Sequence, residues 1–66
     1  MPVREFKWIR SRSGNMWYYN SPELGDRGLV VKESEGEYHT WGVSDTWGIY
    51  RTLREAKEKV ESNVGF

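Results

Sequence analysis

The chain contains no cysteine, only two prolines and a single histidine. Without cysteine, neither a disulfide framework nor a thiolate zinc site is possible. That matters in a chain of 66 residues, because a domain near this size hides only about 60% of its unfolded surface and is marginally stable. The length allows one domain, residues 1–66, and no more. No apolar run approaches the roughly 18 residues of a membrane span. Residues 1–10 (MPVREFKWIR) lack the continuous apolar segment of a secretory signal. A cysteine-free chain with neither feature is expected in the cytoplasm.

A net charge is also missing: ten basic residues balance ten acidic ones. The balance is uneven along the chain. Residues 1–20 set Arg4, Lys7, Arg10 and Arg12 against Glu5, while residues 21–50 set Arg27 and Lys32 against Glu23, Asp26, Glu33, Glu35, Glu37 and Asp45. A basic opening beside an acidic middle is not the uniform footprint of a dedicated nucleic-acid binder, although it leaves room for a local basic patch.

What the chain does have is aromatic content, with four Trp, four Tyr and two Phe. Large rings fill a core that has few positions. Residues 5–11 (EFKWIRS) and 16–20 (MWYYN) read as strands joined by the turn residues 12–15 (RSGN). Neighbours in a strand point to opposite faces, so Trp17, Tyr18 and Tyr19 cannot all enter one core. A two-residue loop, at Ser13-Gly14 or Gly14-Asn15, places Phe6, Trp8, Arg10, Arg12, Trp17 and Tyr19 on one face. It places Lys7, Ile9, Ser11, Met16, Tyr18 and Asn20 on the other. A three-residue loop would exchange the faces of the second strand.

Residues 21–28 (SPELGDRG) break the pattern, as a loop or as one helical turn capped by Ser21 and stopped by Gly25. Residues 29–33 and 37–43 form a second hairpin around SEGE, its second strand alternating His39, Trp41 and Val43 with Tyr38, Thr40 and Gly42. SDTWG (44–48) reads as a turn. Thr52-Leu53-Arg54-Glu55 is a capping box. Beyond it Leu53, Ala56, Val60 and Val64 fall within about 80° of one another at roughly 100° per residue. This is an amphipathic helix over about residues 52–63, ending near Asn63 and Gly65. The fold expected is α+β: an antiparallel three- to four-stranded β-meander packed by one C-terminal amphipathic helix.

Convergent polar chemistry is scarce. His39 reads as a half-buried structural or edge residue sooner than as a general base. GVSDT lacks the second glycine of a nucleophile elbow. One His with scattered carboxylates shows no calcium-loop spacing and no metal-ligand cluster. No glycine-rich phosphate loop precedes the helix, and at the helix start Glu55 opposes an anion. No enzyme, cofactor or metal site is expected. Surfaces remain. On the first hairpin some aromatic side chains stay outside in either register, and exposed aromatic and arginine side chains are the stuff of binding hot spots. Lys7, Arg10, Arg12, Trp17 and Tyr18 are the candidate binding residues, arginines giving orientation and rings giving buried area.

The stretch GIYRTLREAKEKVE (48–61), with Gly48, Thr52, Glu55 and Ala56 on the pattern, resembles the three-stranded DNA-binding domain of plant ethylene-response factors and of the arm-binding ends of tyrosine integrases. The resemblance spans about residues 29–64 and implies a sheet whose outward Arg and Trp side chains contact DNA. Here the matching strands carry Glu33, Glu35 and Glu37, which leaves Arg4, Lys7, Arg10, Arg12 and Arg51 to serve. The segment from Trp41 to Lys57 is also similar to small phage and prophage accessory proteins that end in a Trp-containing hairpin and a TLxEAK helix. That likeness implies binding to a host protein, to inhibit or redirect it. The expectation is therefore a non-enzymatic module binding a protein through the first hairpin. DNA binding by the same hairpin plus Arg51 is the alternative, and a structural or self-associating component comes third.

Overall fold

The computed structural model describes residues 5–43 and 45–64. Arg4, Ser44 and Gly65, which the sequence assigns to a basic set, a turn and a helix stop, lie outside the described residues. Five strands, β1 (Lys7–Arg10), β2 (Met16–Ser21), β3 (Gly25–Ser34), β4 (Glu37–Trp41) and β5 (Thr46–Tyr50), precede one helix, α1 (Leu53–Val64). Each strand pairs antiparallel with the next, giving a meander in the order β1-β2-β3-β4-β5.

The first hairpin follows the Ser13-Gly14 register. Arg10 lies opposite Trp17, and Ser11 N–H donates to Met16 O at 2.8 Å. Gly14 turns the chain at φ 81°, in the left-handed region that glycine enters at no steric cost. The next connection is residues 22–24. Ser21 Oγ accepts from the N–H groups of Glu23 and Leu24 at 3.2 and 3.4 Å, so the expected cap exists, but on a turn between β2 and β3. As a result β3 begins at Gly25, four residues earlier than the apolar run suggests.

The strand count is five where three or four were expected. SDTWG is not a plain turn, because Thr46 to Tyr50 pairs with Tyr38 to Trp41 through a register shift between Thr40 and Trp41. Gly48, at φ 122°, imitates a strand break in the sequence while the shifted register absorbs it.

One face of this sheet is covered by α1. Its buried residues Ala56, Val60 and Val64 meet Trp17 and Val30, and Phe6, Trp8, Tyr19, Tyr38, Trp47, Tyr50 and Leu53 pack around them. Gly28 makes the close approach possible: a Cβ there would overlap Val60 Cγ1. Thr52 Oγ1 accepts from Glu55 N–H at 3.1 Å, which caps the helix. The Glu55 side chain returns to the Thr52 hydroxyl at 3.3 Å, so the box closes through side chains. Beyond the core, Tyr19 stacks on Phe6 with ring centroids 4.7 Å apart and lies equally close to Trp8. Trp8 ties this cluster to the helix, donating from Nε1 to Glu61 at 2.9 Å with Lys57 Nζ 5.2 Å above its ring. Burial, and then the neighbouring Glu61, push the Tyr19 hydroxyl pKa up.

Candidate interaction face

Strand pairing decides which side chains share the other face. Ile9 lies opposite Tyr18, Tyr18 opposite Leu29 and Leu29 opposite Trp41. A second row runs from Met16 to Val31, His39 and Ile49. Because α1 occupies the opposite side, no described element covers these two rows. Ile9 is 48% exposed, Trp41 42% and Ile49 59%, with Val43 at 69% just beyond β4. Tyr18, Leu29, Met16 and Val31 are half-buried, largely by one another across the strands. Among the described residues Tyr18 donates its hydroxyl only to Met16 Sδ, at 3.8 Å. A contiguous apolar patch of this kind is a candidate interface.

Polar groups frame the rows. Lys7 stands at one end beside Asn20, whose Nδ2 donates to Asp26 at 2.8 Å. At the other end His39 Nε2 donates to Glu37 at 2.8 Å, and Ser34 Oγ donates to the same carboxylate at 3.0 Å. These two hydrogen bonds, that from His39 first, hold the Glu37 carboxyl below the usual range. Two hollows indent the face. One, of about 300 Å³, is lined by Tyr18, Asp26, Arg27, Leu29 and Val43; the other, of about 280 Å³, lies between His39, Trp41, Thr46 and Ile49.

The five residues anticipated from the sequence do not form one surface. Tyr18 and Lys7 belong to the open face. Trp17, adjacent to Tyr18 in β2, points the other way and is core at 8% exposure. Its assignment to an exposed binding set is therefore corrected: burial under α1 leaves it nothing to offer a partner. Arg10 shares the covered side with Trp17, its guanidinium 5.7 Å over the ring and within 3.4 Å of Gly14 O. Arg12 is exposed in the turn beyond. Sequence reasoning missed Leu29, Val31, Trp41, Ile49 and Arg27. The available signal was the alternation of His39, Trp41 and Val43 against Tyr38, Thr40 and Gly42, which separates an outer from an inner row once one face is assigned.

Among the described residues no three His, Asp or Glu side chains gather as metal ligands, and no helix is long and apolar enough to cross a membrane. Comparison with protein-family models, with curated proteins and with solved structures finds no match.

Proposed function

We propose that this domain is a non-enzymatic interaction module that binds a protein through the open face of its sheet. The observation that carries the reading is the row Ile9–Tyr18–Leu29–Trp41, apolar across four strands and uncovered by the domain's own helix. A small domain that stacks one side of its sheet and leaves such a row on the other has surface to bury. Tyr18 and Trp41 supply the ring area typical of hot spots, and Lys7 lies at the rim. Arg10 and Arg12, at the β1–β2 turn, stand outside the contact proper and steer approach electrostatically.

Duplex DNA fits this face poorly. Its middle is apolar, Arg10 lies on the covered side, and the exposed Arg12 and Arg51 lie toward the end of the sheet that carries Glu33 and Glu35. A DNA surface would show amide shifts at those arginines that fade steeply with salt. The protein-binding reading expects a spectrum unchanged by duplex DNA at moderate salt.

The direct test places a photo-crosslinking residue at position 29, with position 58 on the exposed helix surface as control, in cells of the source organism. A discrete adduct formed at 29, absent at 58 and lost with Trp41→Asp, is the expected result. Equal adducts at both positions, or none at 29, would sink the reading.

A further inference from the structure

We infer that the open face receives one amphipathic helix of a protein partner, and that a carboxylate on that helix pairs with Arg27. The inference rests on the reading above and specifies its ligand. Two observations point to it, one of charge and one of size.

The first is an unfilled donor. The β2–β3 register shifts between Tyr19 and Asn20, which leaves Arg27 as the extra residue of a bulge, without a cross-strand partner. Arg27 lines the 300 Å³ hollow with Tyr18, Leu29 and Val43. Among the described residues its Nε is buried without an acceptor and its half-buried guanidinium forms no ion pair, which leaves the outer N–H groups to meet a carboxylate. Asp26 borders the same hollow, where its Oδ1 accepts from Asn20 Nδ2 at 2.8 Å, and among the described residues it forms no ion pair with Arg27. Buried donors in folded proteins are normally matched, and a guanidinium is matched best by a carboxylate. Lys7, at the same end of the face, adds a second positive charge. Because the hollow opens among apolar side chains, the carboxylate must arrive on an element that is itself apolar around it.

The second observation is the size of the face. Five strands about 4.8 Å apart and about six residues long on average give a plan of roughly 24 by 20 Å, or about 490 Å². A standard protein–protein interface buries about 800 Å² per partner and an obligate homodimer more, well above that plan. A single helix fits. The other side of the same sheet is already covered by the 12-residue α1, which at 1.5 Å per residue is about 18 Å long. A partner helix of that length, apolar at i, i+3, i+4 and i+7, would turn two layers into three. An extended peptide would instead add to a sheet edge and leave the rows uncovered.

The probe is a display library of helix-biased peptides of about 14 residues, selected on the intact protein. Enriched sequences are expected to combine the helical apolar spacing with an Asp or Glu. The best peptide should become helical on binding and shift the amides of Tyr18, Leu29 and Trp41. Arg27→Gln should weaken it about tenfold, as should removing the peptide's carboxylate, with little further loss when both are changed. Leu29→Glu should abolish binding, and Trp41→Asp, at a more exposed position, serves if the Leu29 variant fails to fold. If neither face variant affects the selected peptides, the open-face reading itself falls. If face variants abolish binding but Arg27→Gln has no effect, or the peptide binds extended, the helix-and-carboxylate inference falls and the face stands. No enrichment, or a self-association dissolved by Trp41→Asp, would likewise overturn the helical partner.

Discussion

At the scale of single residues, Trp17 and Tyr18 carry the division of labour. They are neighbours in β2, so the pleat sends one ring under α1 and the other onto the open face. Truncating a core aromatic costs about 3–5 kcal/mol, a large share of what so small a domain has. Trp17→Ala is therefore expected to unfold most of the population, whereas Tyr18→Ala should cost about 1 kcal/mol or less. Urea titrations followed by far-UV circular dichroism separate the two outcomes. Equal losses would mean that both rings are core.

Glu37 gives a pH-dependent counterpart. Its carboxyl is held low by His39 and then by Ser34. A folded-state pKa below the unfolded one stabilises at pH above the ordinary carboxylate range, and the contribution is lost as pH falls through the depressed value. Glu37→Gln should thus be somewhat less stable than the parent at neutral pH, and the two should converge in acid. Because this side chain is well exposed, the difference is small; Ser34→Ala should move the carboxyl's titration midpoint, read by carbon-detected NMR, upward.

At the scale of elements, the helix was the most legible part of the sequence. Thr52 and Glu55 mark its start, and Ala56, Val60 and Val64 are its buried stripe, as the spacing requires. The first hairpin was half legible. Parity splits its residues into two faces, but nothing local says which face the helix will cover. That choice is made by Gly28, whose missing side chain lets Val60 approach β3, and Gly28 belongs to the stretch 21–28 that reads as a loop. β5 was not legible because Gly48 looks like a break, and the shifted pairing that accommodates it is a tertiary fact. The open face inherits the same blindness. Leu29, Trp41 and Ile49 are far apart in sequence and become neighbours only through two successive strand registers. The Gly28–Val60 contact can be tested as a pair. Gly28→Ala should cost about 1–3 kcal/mol by overpacking, and much of that cost should vanish in a Val60→Ala background, a coupling that a double-mutant cycle measures. Additive losses would show that the helix does not approach the sheet there.

At the scale of the whole molecule, a two-layer domain without disulfide or metal-ligand cluster among the described residues keeps one sheet face wrapped and the other unwrapped. Carbene footprinting tests that division, and the function drawn from it, in one measurement. The purified protein should be labelled strongly at Ile9, Leu29, Trp41 and Ile49 and hardly at Val30 or Val60. In extract of the source cells the first set should become protected while Arg54 and Glu58 on the helix surface remain labelled. Unchanged labelling of the open face in extract, or protection confined to the helix surface, would contradict the assignment of that face as the binding site.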